Sequence, residues 1–253
     1  MNRAARLAWP ALGLGLALAA WWLGARALSD VAAVAEAFSP QAAARALGHL
    51  AGSGELWPHV GVSLRRIFVS LALALALGVP LGLALGLSRR FALACTPLFQ
   101  LLRMISPLSW MPLAVMALGV GDAPVLFLLS FAALWPIVLN VAAGVSALDR
   151  HWLQLAQSLS ATRTETVLQV VLPGVVAPAL TGFRLSLGVA WIVLVPAEML
   201  GVSAGLGYFI LDTRDRLAYD ELMAVIVVIG LLGYALDAAA RWAGRQWAHE
   251  KAH

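Results

Sequence analysis

The sequence predicts an all-α integral membrane protein with about six transmembrane helices, and three observations predict it. Of the 253 residues, 62% are hydrophobic and only 12% charged, about half the charge of an ordinary soluble domain. The mean hydropathy is +0.87. The apolar residues fall in runs long enough to cross hydrocarbon as a helix, about 20 residues each, with short polar segments between them. That leaves room for roughly six spans and none for a large catalytic domain outside the membrane.

The first run is Leu7 to Gly24, preceded by Arg3 and Arg6. It reads as a retained span; the alternative is a signal peptide with Ala25-Arg26-Ala27 as a cleavage site. Its length and the Trp21-Trp22 pair, suited to an interface, favour the span. Residues 29–59 hold Asp30, Glu36, Arg45, Glu55, Pro40, Gly52 and Gly54, a polar loop with one short surface helix. The second span, Ile67 to Leu87, contains Gly78, Gly82 and Gly86, a G-x-x-x-G repeat that lets another helix backbone approach closely. The third region, Phe91 to Gly121, is broken by Pro97, Arg103, Pro107 and Pro112 and is expected to be kinked or discontinuous. The fourth span, Ala123 to Leu148, ends at Asp149-Arg150.

From Asp149 to Gln169 the chain turns polar, with His151, Gln154, Gln157, Ser158, Ser160, Thr162, Arg163, Thr164, Glu165 and Thr166 in a segment of helical texture. A fifth span follows Pro173 to about Leu200. A Gly-rich and acidic loop runs from Gly201 to Glu221, and its Gly201 to Tyr208 part, with Gly201, Gly205 and Gly207, reads as a flexible re-entrant or gate turn. Its Asp212, Asp215, Asp220 and Glu221 are either a docking patch or a solvated acidic face. The sixth span starts at Leu222 and continues toward Trp247. The division that follows is 1–56, an N-terminal span and periplasmic loop; 57–248, the core with its cytoplasmic loop 149–173; and a tail, 249–253.

Basic residues set the orientation. With a cytoplasmic N-terminus the inside receives Arg3, Arg6, Arg89, Arg90, Arg150, Arg163, Arg241, Arg245 and Lys251, whereas the outer loops hold Arg45, Arg214 and Arg216. Both termini are then cytoplasmic. Arg65 and Arg66 oppose this topology and are placed on an interfacial or protein-buried elbow. The tryptophans at 9, 57, 152, 242 and 247 read as interfacial anchors.

Several chemistries are excluded. Cys95 is the only cysteine, so no intrachain disulfide or cysteine metal cluster forms, and the five histidines show no ligand pair. No Lys/Arg-rich block tracks a phosphate backbone, so nucleic acid is not an expected partner. Lys251 is the one lysine and sits at the chain's end, whereas a P-loop needs a lysine after glycine. The chain therefore cannot hydrolyse ATP by that route alone, and if it pumps, the power comes from a partner subunit or an ion gradient.

The polar segment carries a resemblance. Gln154 to Ser160, QLAQSLS, followed nine residues later by VVLP at Val170 to Pro173, resembles the EAA loop of ABC-importer permeases: Glu-Ala-Ala, three residues, Gly, nine residues, Ile-x-Leu-Pro. Ala156, Leu172 and Pro173 match, Val170 is conservative, Gln154 replaces the Glu, and Ser160 replaces the Gly. A serine there carries a steric penalty at positive φ that glycine avoids. The stretches SLRRIFVSLALALALGVPLGLALG, LRMISPLSWMPLA, LGVGDAPVLFLLSFAALWPIVLNVAAGV and WIVLVPAEMLGVSAGLGYFILDTRD extend the likeness, over about Trp57 to Asp237, to the branch serving nitrate, sulfonate and taurine.

The resemblance implies a type I, MetI-like permease fold in a bacterial inner membrane. It implies two permease copies, here a homodimer, two ATPase subunits that carry ATP and Mg on their own chains, and a periplasmic or lipid-anchored binding protein. This chain would bind no cofactor, catalyse no bond change, and contact lipid and its partners. The ATPase-coupling residues would be Gln154, Leu155, Ala156, Ser160, Val170, Leu172 and Pro173, with Leu153, Ala156, Leu159 and Ala161 entering a partner groove; Ala156→Asp is expected to uncouple transport while leaving insertion intact. An ion-coupled secondary transporter is the alternative.

Three charges remain: Arg103, Arg184 and Glu198. Each costs at least about 2.5 kcal/mol in hydrocarbon, so each faces the bundle interior, water or a partner. They are candidates for the translocation path and outer gate, or else structural ion pairs or snorkelling groups. Arg184 and Glu198 are 14 residues apart, about 21 Å along a helix, and cannot pair with each other.

Overall fold

The computed structural model describes residues 3–29 and 35–250, and every assigned element among them is helical. Asp30 of the first polar loop and residues 251–253 of the tail, with Lys251 and His253, lie outside the described residues. Chain contacts divide into two units, Met1–Gly61 with Ala204–Leu231, and Val62–Ser203 with Leu232–His253.

The first unit begins with α1 (Arg3–Ser29) and a 3-10 turn (Ala35–Phe38), joined by a hydrogen bond from Trp21 Nε1 to the Phe38 carbonyl (2.9 Å). The short helix expected in the first loop is α2 (Pro40–Ser53). Ser39 caps it by accepting from Ala42 N–H, proline occupies its first turn, and Gly54 closes it at φ 85°, the arrangement that satisfies both ends of a short helix. Its buried side is Ala42, Ala43, Ala46 and Leu50, one stripe at helical spacing.

The helix α3 (Leu56–Leu87) starts well before Ile67, where the second span was expected. Trp57-Pro58 explains the earlier start, because proline suits a first turn, where its missing N–H is not needed. The second unit adds α4 (Arg89–Met104), a 3-10 turn (Pro107–Trp110), α5 (Met111–Leu118) and α6 (Asp122–Ser146). The expected break of the third region is a 91° bend between α4 and the segment Pro107–Leu118.

After α6 come α7 (Arg150–Ser158) and α8 (Arg163–Thr166), a π-turn (Val167–Val171) and α9 (Leu172–Glu198). The π-turn lies just before Pro173, which has no N–H to return to the preceding turn; Leu172 N–H reaches back five residues to the Val167 carbonyl. In the first unit α10 (Leu206–Asp215) fills much of the segment expected as a loop at 201–221, which corrects that reading; of the stretch expected as a flexible turn, Leu206 to Tyr208 are the opening of this helix. Gly205 N–H donates to His59 Nδ1 (3.1 Å), and the His59 ring stacks on Phe209 at 4.6 Å. Asp212 and Glu221 are paired with Arg216, and Asp215 with Arg214, so most of the acidic face is neutralised within the chain. Last is α11 (Tyr219–Glu250).

Among the described residues four helices, Leu56–Leu87, Asp122–Ser146, Arg163–Glu198 and Tyr219–Gln246, are long and apolar enough to cross a membrane, and the bent pair is either a fifth, broken span or a re-entrant loop; Leu12–Ala27 of α1 is a shorter apolar helix. The core of the second unit joins Ile67, Leu71 and Ala74 of α3, Val125 to Val141 of α6, and Leu187 to Ala197 of α9. Small residues allow this closeness. A Cβ on Gly82 would lie 2.7 Å from Val141 Cβ, one on Gly78 2.9 Å from Ile137 Cγ2, and one on Gly86 would overlap Val145. Gly182 of α9 meets Asn140, Pro136 and Ile137 of α6 in the same way. Serines add hydrogen bonds between helices: Ser186 Oγ donates to the Ala133 carbonyl at 2.5 Å and Ser130 Oγ to the Ser70 carbonyl at 3.3 Å.

Candidate functional site

The polar segment between α6 and α9 is an ordered double turn. Asp149 caps α7 by accepting from His151 N–H. At its end Ser160 N–H donates to the Gln157 carbonyl and Ala161 N–H to the Ala156 carbonyl, 3.0 Å each, with Ser160 at φ 56°. This is the two-bond termination that glycine ordinarily serves, so the turn is kept despite the steric penalty of a serine there. Thr162 and Glu165 then form a capping box for α8, the Thr162 N–H donating to Glu165 Oε2 at 2.7 Å and Glu165 N–H to Thr162 Oγ1 at 3.3 Å. The Thr-x-x-Glu spacing is a readable signal for that start, although sequence reading missed it.

The face of α7 differs from expectation. Ala156 is 7% exposed, and Leu153 packs on the cluster of Val145, Val171 and Val175. Both are turned to their own chain, so neither is available to a partner groove, and Ala156→Asp would disturb this packing. The exposed apolar stripe is instead Trp152, Leu155 and Leu159, at 60%, 49% and 74%; their i, i+3, i+7 spacing puts them on one side of the helix. Gln154 is also exposed, while Val170 is partly buried and Leu172 and Pro173 open α9.

A second constellation sits where α3, α6 and α9 meet. Glu198 is 0% exposed and the Arg66 side chain 3%. Arg66 Nη1 donates to Glu198 Oε1 (2.7 Å), Arg66 Nε to Asp122 Oδ1 (3.0 Å), and Ser63 Oγ lies 2.9 Å from both Glu198 oxygens. Arg65 also pairs with Asp122. Glu198 is thus held in a buried ion pair. Of the two placements expected for Arg66, the protein-buried one is found, inside a helix and not on an elbow; Asp122 as its counter-charge was not read from the sequence because the second span was begun at Ile67, whereas with α3 starting at Leu56, Arg66 lies ten residues inside a helix and needs a counter-charge.

Arg184 pairs through Nε with Asp237 Oδ1 (2.9 Å), and Arg241 pairs with the same carboxylate. Arg184 and Glu198 therefore have separate partners. Arg103 differs from both. It is in the last turn of α4, beside the 91° bend, exposed, with no hydrogen bond or ion pair among the described residues. It lines a 490 Å³ cavity with Ile105, Trp135, Asn140, Leu185 and Val189.

Residues 78–248 match the model of the family described as binding-protein-dependent transport system inner membrane component. The chain belongs to this family. The taurine transport system permease protein TauC of Escherichia coli (strain K12) is 33% identical over 74% of this chain and 68% of its own length. The nitrate import permease protein NrtB of Synechococcus elongatus is 28% identical over 73% of this chain and 67% of its own. In fold it is similar to a chain of the inward-facing MetNI methionine ABC transporter, with a TM-score of 0.63 and 18% identity over 76% of this chain and 95% of that one. As a binding-protein-dependent permease it is a non-enzymatic, multi-pass inner-membrane subunit of an ABC importer, which works with an ATPase and a substrate-binding protein. That membership sets aside the ion-coupled secondary transporter.

Proposed function

We propose that this permease imports a small anion of the nitrate, sulfonate or taurine type. Two copies of the chain form the pathway, both termini are cytoplasmic, and residues 57–248 form the transport core. The substrates named for its relatives, taurine and nitrate, support the solute class, and the distribution of arginines supports the orientation. ATP and Mg are held by the ATPase, and no cofactor is bound here.

The observation that carries the coupling role is the exposed stripe of Trp152, Leu155 and Leu159 on a capped helix between two spans. Apolar side chains at this spacing fit a hydrophobic groove on a partner, and ATP-driven movement of the two α7 helices would tilt the spans attached to them. Ala156, Ser160, Val170, Leu172 and Pro173 act by holding that helix at its angle.

The test is co-purification in mild detergent with the ATPase subunit, using Leu155→Asp and Leu159→Asp. Retention by the wild type and loss in both variants, with the permease still inserted, is expected. Undiminished retention in both would overturn the docking face. Uptake of nitrate, an alkyl sulfonate and zwitterionic taurine by vesicles holding the full transporter tests the solute class, and failure to import any of the three would overturn it.

A further inference from the structure

One side of α4 is polar where a membrane helix is ordinarily apolar. Thr96, Gln100 and Arg103 recur at i, i+4 and i+7, which puts them on a single stripe. They lie about 10 to 21 Å past Arg89 by helical rise. All three are exposed, and none has a side-chain hydrogen bond or ion pair among the described residues. Leu98 and Leu101, 53% and 60% exposed, fall on the other side of the same helix. The helix α3 is built differently: every exposed residue from Phe68 to Leu87 is apolar, and Ser70 within that stretch is buried. Such a surface suits lipid. The stripe on α4 does not, because a guanidinium, an amide and a hydroxyl left unpaired in hydrocarbon are costly. It opens instead on two cavities of the second unit. Thr96, Gln100 and Arg103 line one of 80 Å³, and Arg103 with Asn140 of α6 lines the other, of 490 Å³.

We propose that the side of α4 bearing Thr96, Gln100 and Arg103 is a wall of the water-filled path through the membrane, with Leu98 and Leu101 turned away from it. The proposal rests on the chain's being a permease and is independent of the solute's charge. A guanidinium only donates, whereas Thr, Gln and Asn both donate and accept, so this wall can exchange hydrogen bonds with water and with any small polar solute that replaces it. Arg103 keeps its charge without a carboxylate because water solvates it. The bend that follows α4 suits the same position, since irregular backbone at membrane depth is tolerated where it lines a cavity. The helix α9 contributes Leu185 and Val189 to the larger cavity, and α9 is the span into which the polar segment runs. A tilt of α9 driven from α7 would therefore change the width of the path.

The test uses the full transporter in proteoliposomes. In a Cys95→Ala background, single cysteines are placed on the stripe by Thr96→Cys and Gln100→Cys, and on the other side by Leu98→Cys and Leu101→Cys. The probe is a charged, membrane-impermeant methanethiosulfonate, present on both faces of the membrane. It reacts with the thiolate, and a thiol ionises in water but hardly in an apolar surround. Labelling at the two stripe positions is expected to be at least about tenfold faster than at the two leucine positions. Its rate is expected to change when ATP and Mg are supplied, because a path opens and closes with the transport cycle and a fixed crevice does not. Thr96→Cys is close to isosteric, so slow labelling there would not be misfolding. Slow labelling at all four positions would overturn the proposal, with the stripe packed against protein or lipid. Fast labelling at all four would place α4 among the headgroups and overturn it equally, as would a stripe preference indifferent to ATP and Mg. Each of these outcomes leaves the family membership and the solute class standing.

Discussion

Two arginines near helix junctions of this permease are finished differently. Around Arg66 every charge has a partner: Glu198, Asp122 and Ser63 surround a guanidinium only 3% exposed. Arg103 is exposed, lines a cavity and has no hydrogen bond or ion pair among the described residues. In hydrocarbon an unpaired charge is expensive, so the buried arginine comes with its counter-charges and binds helices together, whereas the exposed one needs none within the chain. The first ties α3, α6 and α9; the second sits beside the 91° bend that follows α4.

Breaking the saturated network is the largest perturbation available. Arg66→Met, close in volume but without charge, leaves Glu198 buried without its guanidinium and is expected to destabilise the fold by about 3–5 kcal/mol. In Arg66→Met/Glu198→Met much of that loss returns, because an apolar pair can replace a buried ion pair. Thermal unfolding of the purified protein reads both, and no recovery in the double variant would argue against a simple charge pair. Next is the glycine seam. Gly82→Leu forces a side chain against Val141 and the Val138 carbonyl, at an overpacking cost of about 1–3 kcal/mol, visible as a lower unfolding temperature.

The smallest effect is at the coupling turn and has the opposite sign. Ser160→Gly relieves a left-handed residue (φ 56°) and should stabilise locally by about 1 kcal/mol. Slower hydrogen exchange at the Ser160 and Ala161 amides would show it, and unchanged or faster exchange would contradict it. Leu217, at φ 59° after α10, is a second non-glycine residue in that region; its N–H donates to the Arg214 carbonyl and Ala218 N–H to the Thr213 carbonyl, and Leu217→Gly should behave similarly in sign.

Much of the fold was legible because apolar runs and proline breaks are local signals. Pro107 and Pro112 announced the bend, and Gly78, Gly82 and Gly86 announced close packing, whereas Ser160 in place of the pattern's glycine pointed away from the left-handed turn that is found. What escaped depended on partners distant in sequence. Arg66 and Glu198 are 132 residues apart, and nothing in either neighbourhood names the other. Leu153 and Ala156 belong to the same amphipathic pattern as Leu155 and Leu159, and only packing on Val145, Val171 and Val175 decides which stripe faces inward.

The same substitution at two positions tests the contrast most directly: thermal unfolding of the purified permease carrying Arg66→Met or Arg103→Met. Losing the guanidinium from the saturated network should lower the midpoint by about 10 °C. Losing it from the cavity should leave the midpoint within about 2 °C of wild type, because no protein partner is stranded. An equal fall in both variants would contradict the account, since Arg103 would then hold the fold together as Arg66 does.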